Sequence, residues 1–279
     1  MVINMKKVDN ASLLTFLENE NLTKNYYECV NIVNAGKPSY AIKSVSYFTK
    51  DGTPSSSYIS LCENIYNELT VEIKTDDIDL IYDAFCELRK TSRKYKTIRM
   101  GADSSDFFET QVFKKFCKIK KIYTGEYGVF AQLSKDDIPK INIPENIKVE
   151  LVTETEKSQF ITYDNKVWDG LSSLIKYGND TDRLFLIKEN DYICGYLVAN
   201  NSYGNIYDIA HIFVSEEHRG KNFGKYLTVT LSKYCYDKGY IPHYGIAVSK
   251  PSEAVAIKSG FAEIYRRHYV DVKFRFLTR

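Results

Sequence analysis

The residues with the clearest chemical meaning are FVSEEHRGKNFGKYL, 213 to 227, where an apolar run ends, an acidic turn follows, and Arg219-Gly220-Lys221-Asn222-Phe223-Gly224 opens a helical pattern. The first turn of a helix presents backbone N–H groups with no partner inside the helix, and the aligned peptide dipoles add positive potential there. A diphosphate laid across such a turn gains several charge-assisted hydrogen bonds. Glycine at 220 and 224 leaves room for a ligand or for neighbouring backbone where a Cβ would collide. Past the turn, Phe223, Leu227, Thr230, Leu231 and Tyr234 recur at helical spacing, so one face of the helix is expected on a sheet while its first turn stays open. Alone, an R-G-x-x-x-G string also opens many ordinary helices.

A second stretch, HYGIAVSKPSEAVAIKSGF, 243 to 261, reads as a strand, a helix start and a closing Gly-Phe. Together the two stretches resemble the GNAT N-acetyltransferases. Arg219 and Gly224 match that family's R/Q-x-x-G-x-G/A pattern, with Asn222 in place of the middle glycine, a residue that tolerates unusual backbone angles. Ser252, Ala256, Gly260 and Phe261 fit the second motif, with Ser249 in place of the usual Asn. The resemblance implies acetyl-coenzyme A as cosubstrate, no metal, and transfer of an acetyl group to a primary amine of a small molecule or peptide. The cofactor-binding residues it implies are Phe213, Val214, Arg219, Gly220, Lys221, Asn222, Phe223, Gly224, Lys225, Ser249 and Ser252. It further implies a mixed, mostly antiparallel sheet whose fourth and fifth strands, 206–214 and 243–248, splay apart, with pantetheine pairing along the edge near Phe213 and Val214. A non-catalytic coenzyme A sensor or scaffold, and an aminoacyl transferase of the tandem GNAT kind, remain alternatives.

Direct transfer requires a base for the amine, donors for the tetrahedral oxyanion and an acid for the thiolate. Asp208 is the first candidate base; strict strand alternation sets it on one face with Ala210, Ile212 and Val214 and turns His211 to the other. Asp208 is nearly as well suited to ending the Gly204-Asn205 turn, and His211 to packing. The tyrosine acid of the family corresponds to Ala256 here, so Tyr265, Tyr244 or Tyr269 would have to replace it. Trp168 is open to two roles, stacking on the acceptor or filling the core.

These groups need a frame. The segment 134–148, rich in Pro, Asn and charge, reads as a connector, which divides the chain into 1–133, a linker 134–146 and 147–279. Both halves show the same α/β order. Upstream come helices 11–19 and 25–34, strands 41–48, 58–62 and 69–73, a helix from 78, strand 97–100, helix 107–116 and strand 122–133. Downstream come strand 148–152, helices 156–163 and 168–177, strands 184–188, 193–199 and 206–214, helix 221–238, strand 243–248, helix 252–258 and strand 264–276. A degenerate GNAT-like repeat is the expectation for the first half. At the point where that half would hold phosphate it reads KTDDIDLIYD, with three aspartates and no glycine, so residues 1–133 are expected to bind no coenzyme A and to shape the acceptor cleft or a homodimer surface.

A net charge of +2, from 38 Lys and Arg against 36 Asp and Glu, is too small to argue for a nucleic-acid partner, and none is expected. Six scattered cysteines without a C-x-x-C pair read as reduced thiols, and no stretch has the length of a membrane span or signal. A cytoplasmic location is expected.

Overall fold

Leu69, Val71 and Ile73 alternate with Thr70, Glu72 and Lys74, and there the chain extends as a strand that buries the apolar set. The same rule of period two, with helical spacing elsewhere, builds the remainder of a computed structural model that describes residues 5–38, 40–122, 127–152 and 182–275. The chain forms two units, residues 1–127 with 265–279, and residues 128–264.

The first unit runs β1 (Lys6–Val8), α1 (Asn10–Asn21), α2 (Tyr26–Asn34), β2 (Ile42–Thr49), β3 (Tyr58–Asn64), β4 (Glu68–Lys74), α3 (Ile78–Thr91), β5 (Thr97–Ala102), α4 (Gln111–Phe116) and β6 (Cys117–Ile122). Strands β2, β3 and β4 pair antiparallel, and β4 pairs parallel with β5 at every position from Glu68↔Thr97 to Ile73↔Ala102. The core on the α3 face gathers Val71, Phe85, Met100, Phe113 and Phe116.

The second unit runs β7 (Tyr127–Ala131), β8 (Ile147–Leu151), β9 (Arg183–Glu189), β10 (Tyr192–Tyr203), β11 (Ile206–Val214), α5 (Phe223–Asp237), β12 (Ile241–Ala247) and α6 (Lys250–Lys258). Its strand order is β7-β12-β11-β10-β9-β8, antiparallel throughout except for β11 beside β12. Helix α5 lays Leu227, Leu231 and Cys235 on a core with Phe185, Leu197, Tyr207 and Ile209.

The last strand, β13 (Ala262–Phe274), leaves the second unit and enters the first. There it lies between β5 and β6, pairing His268↔Ala102 through Val272↔Ile98 on one side and Val270↔Ile122 through Phe274↔Cys117 on the other. The units therefore divide differently from the expected 1–133 and 147–279. β7 joins the second unit because it pairs with β12, and the expected linker 134–146 lies inside that unit, carrying a turn at Lys135–Asp137 closed by a Ser134/Asp137 capping box. The expected helix 107–116 is a 3-10 turn at Ser105–Glu109 followed by the short α4, and the expected strand 122–133 is replaced by β6 and β7. The expected helices 156–163 and 168–177 and Trp168 lie outside the described residues. Among the described residues no helix is long and apolar enough to cross a membrane.

The Gly260-Phe261 pair closes α6. Gly260 has φ +88°, and the N–H groups of Phe261 and Gly260 return to the carbonyls of Ala256 and Ile257 at 3.1 Å each, a left-handed helix cap. A Cβ at Gly260 would collide with the carbonyl oxygen of Asp137 and stand 2.9 Å from Gln132 Nε2. Gly260→Ala is therefore expected to cost on the order of 2–4 kcal/mol, read as a lower midpoint in urea unfolding; an unchanged midpoint would show that the 132–137 segment yields freely.

Candidate active site

The parallel partners β11 and β12 stay together for three positions only, Ile206↔Ile241, Tyr207↔Pro242 and Asp208↔His243. Beyond that rung β11 continues beside β10 to Val214, and β12 continues beside β7 to Ala247. A buried pair marks the last rung: Nδ1 of His243 donates to Oδ1 of Asp208 at 2.7 Å, with the two residues 0% and 8% exposed. Past it the facing edges have no ladder partner in each other, which leaves main-chain donors and acceptors for an extended ligand.

Each splayed strand carries a bulge. On β11 the register moves from Ala199↔Ile209 to Val198↔His211, so Ala210 is the extra residue; on β12 it moves from Tyr244↔Phe130 to Ile246↔Val129, so Gly245 is. A bulge reverses the alternation that follows it. The expected grouping of Asp208 with Ala210, Ile212 and Val214 is thus corrected. Ile212 and Val214 join Tyr207 and Ile209 on the α5 face, whereas His211 and Phe213 pass to the other face, with Asp208. There Tyr196 stacks on His211 at 5.4 Å and on Phe213 at 5.5 Å between ring centroids. His211 keeps an open surface, yet desolvation by its surroundings lowers its pKa, which favours the neutral imidazole.

After β11, residues Glu216–His218 form a 3-10 turn, Gly220 adopts φ +81° and Asn222 adopts φ 67° before α5 begins. Asn222 thus supplies the left-handed conformation for which a glycine would otherwise be chosen. Its side chain makes no capping hydrogen bond, and the first helical bond runs from Tyr226 N–H to the Asn222 carbonyl at 2.9 Å. By helix geometry the N–H groups of Phe223, Gly224 and Lys225 have no intrahelical partner. Arg219, Gly220, Lys221 and Asn222 are exposed, and a Cβ at Gly220 would meet nothing within 4 Å.

The cradle residues divide by role. The Arg219 N–H is already bonded to the Glu216 carbonyl at 3.2 Å, and its guanidinium lies 3.3 Å from both the Val214 carbonyl and the Glu216 carboxylate. Phe223 turns its ring into the core. Gly224 makes room for α6, since a Cβ there would stand 3.2 Å from Val255. Ser249 caps α6 by accepting from the Ser252 N–H at 3.3 Å, and the Ser252 hydroxyl lies 3.0 Å from Tyr244 OH. Lys225 stands half-buried in the first turn of α5.

Tyr265, the expected acid, falls in the first unit, where the Lys74 ammonium lies 5.4 Å from its ring centre. Ala256 is fully buried, and Tyr244 is the tyrosine on the splayed strand β12; burial raises its pKa. His243 escaped the sequence reading. Its signal lay in the parallel pairing itself, which sets the first residue of HYGIAV beside Asp208.

The equivalent corner of the first unit is built differently. Asp77 caps α3 with its own carboxylate, accepting from the N–H groups of Asp79 at 3.0 Å and Leu80 at 3.1 Å, and Lys50 pairs with it at 3.1 Å. The Leu80 N–H, followed by Lys50, holds that carboxyl below its ordinary pKa. With β4 and β5 paired along their length and Asp77 on the start of α3, this corner has neither the opened edge nor the uncapped helix start found between β11 and α5.

The left-handed position allows a direct check. Asn222→Gly is expected to change stability by less than about 0.5 kcal/mol and Asn222→Val to cost about 1–3 kcal/mol, measured by urea unfolding. Equal stability of the two variants would show that the strand-to-helix turn does not require this conformation.

Residues 149–261 match the model of the family described as Acetyltransferase (GNAT) family. No curated protein matches the chain in sequence. Among solved structures, a GCN5-related N-acetyltransferase from Sphaerobacter thermophilus superposes with TM-score 0.58 at 10% identity, covering 97% of this chain and 95% of that one. A tandem GNAT protein from the clavulanic acid biosynthesis pathway superposes with TM-score 0.57 at 14% identity, covering 99% and 100%. A Drosophila protein gives TM-score 0.58 at 12% identity over 98% and 99%. At such identities the likeness is one of fold. Together with the family match, which lies within the second unit, it gives residues 149–261 a GNAT-type fold.

Proposed function

We propose that this protein is an acetyl-coenzyme A dependent N-acetyltransferase whose second unit binds the thioester and presents it to a primary amine of a small molecule or peptide. The observation that carries the reading is the parting of β11 from β12 after Asp208↔His243, beside a helix start with uncapped N–H groups. The diphosphate would lie on the first turn of α5, with Lys221 and Lys225 nearby, and the pantetheine along the opened edge of β11 toward Phe213 and Val214. The exposed Ile246 and Val248 would give its methylene groups an apolar border.

In this reading the amine nitrogen attacks the thioester carbon, the oxyanion takes hydrogen bonds from main-chain N–H groups at the opened edge, and collapse breaks the C–S bond to release coenzyme A thiolate. His211 takes the amine proton. It stands past the bulge on an open surface with its pKa lowered, while Asp208 is buried and engaged with His243 at the foot of the opening. Tyr244 is the nearest counterpart in this unit to the missing acid, and Asp208 with His243 would fix the point at which the strands diverge. The first unit, with its self-capped α3, would bind no coenzyme A and serve the acceptor or a second copy of the chain. All six cysteines are free thiols, which supports a reducing compartment such as the cytoplasm.

Release of free thiol from acetyl-coenzyme A over a panel of primary amines tests the proposal. Tight binding without turnover on any of them would favour a coenzyme A sensor, and absence of binding would overturn both readings. Arg219→Glu is expected to weaken acetyl-coenzyme A binding at least tenfold in a folded protein, since it unlatches the turn from Val214 and adds negative charge beside the diphosphate; unchanged affinity by calorimetry would remove the cradle. His211→Gln should lower turnover about 100-fold or more and remove an imidazole ionisation from the pH profile of kcat/KM. In the parent enzyme the base is active when neutral, so the rate should fall as pH drops through the lowered His211 pKa.

A further inference from the structure

Behind the cradle, and outside the chemistry proposed above, three donor groups converge. Oε2 of Glu189, at the end of β9, lies 3.2 Å from Nε2 of His218, in the 3-10 turn that leads to Arg219. Sγ of Cys194, on β10, completes a set in which a carboxylate oxygen, a thiol sulfur and an imidazole nitrogen all lie within 4.8 Å of one another. Cys194 and His218 are buried and Glu189 is half-buried.

Three separate backbone devices produce this convergence. Asn190 and Asp191, at φ 50° and 65°, form a tight left-handed turn that sets Glu189 opposite Tyr192. The register then slips between Ile193↔Lys188 and Gly195↔Ile187, which makes Cys194 the extra residue of a bulge and aims its side chain. The Ser215 N–H bonds to the Cys194 carbonyl at 2.9 Å, and the Ser215 hydroxyl lies 2.7 Å from Nδ1 of His218. That second contact fixes the ring with Nδ1 toward Ser215 and Nε2 toward Glu189 and Cys194, the outer-shell arrangement by which a metal-ligating histidine is oriented. Phe223 stacks on the other side of the imidazole at 5.4 Å.

A hydrogen-bonded chain from Ser215 through His218 to Glu189 engages two of the donors, and the Cys194 thiol donates to the Tyr192 carbonyl at 3.1 Å, a weak bond that a metal-bound thiolate gives up while all three donor atoms stay within reach of one ion. We propose that Glu189, Cys194 and His218 form a binding site for a divalent cation of the zinc class, which ties the β9–β10 turn to the start of the cradle. Thiolate, imidazole and carboxylate are the ligands zinc takes, and at metal–ligand distances of about 2.0–2.1 Å a tetrahedral ion holds nitrogen and oxygen roughly 3.3 Å apart. Binding replaces the Cys194 thiol proton, which leaves to solvent, and no electron is transferred. The ammonium of Lys221, 3.6 Å from Glu189 and half-exposed, swings outward as the ion takes over its counter-charge. Water fills the fourth position.

The proposal is tested on the full chain, reduced and free of any histidine tag. After dialysis against zinc and then against metal-free buffer, elemental analysis should find about one zinc per chain, and cobalt(II) added instead should give an intense thiolate-to-cobalt absorption band. Cys194→Ser and His218→Asn should each lose the ion and the band, while Cys86→Ser, in the first unit, keeps both. Retention of no zinc by the parent protein, or retention unchanged in the Cys194 and His218 variants, would overturn the proposal. Should those variants fail to fold, Glu189→Gln decides: a tenfold or greater loss of zinc affinity supports the site, and unchanged affinity rejects it.

Discussion

The single rung Asp208↔His243 governs the geometry of the second unit. Two parallel strands that could have stayed hydrogen-bonded part immediately after it, and each finds its onward partner on the far side, β10 for β11 and β7 for β12. The divergence is sustained because each strand keeps an antiparallel partner on its outer side past the opening, to Val214 on β11 and to Ala247 on β12. A buried imidazole–carboxylate contact at the last rung closes the sheet below the opening. Ala210 and Gly245, one bulge on each strand, reset which side chains face which way above it.

The first unit is a natural control for that construction. It has the same strand–helix–strand arrangement, with β4 and β5 parallel around α3, yet its strands remain paired and its helix start is occupied by Asp77. The two corners thus differ in the residue that precedes the helix and in what it does with the first N–H groups. Asn222 sits in the left-handed region and makes no side-chain hydrogen bond to the N–H groups; Asp77, extended, folds its carboxylate back onto them.

The sequence carried most of the succession of elements, the strand-to-helix turn before α5 and the closing Gly-Phe, because each rests on local rules: period two, helical period, and residue types that tolerate positive φ. What it hid were the events that break a period. One extra residue at Ala210 moves His211 to the face of Asp208, and no composition or spacing announces it. The meeting of Cys194 with His218 is hidden in the same way, being set by a bulge and a turn that become visible only once strands are paired. The domain boundary was misplaced for a further reason. The proline-rich 134–148 segment looks like a connector, but the chain passes between the units at 127/128 and again within β13 at 264/265, where apolar alternation gives no hint of which sheet the strand will join.

That last strand also sets an order of assembly. Val270, Val272 and Phe274 complete the core of a unit whose other residues end at Tyr127, and β5 and β6 wait on either side of the place they fill. During synthesis residues 5–122 emerge before β13 and remain an unfinished sheet until residues 265–274 have left the ribosome. Its completion is therefore coupled to translation of the whole second unit, and a chain released before β13 would carry an open, sticky gap where quality control can recognise it.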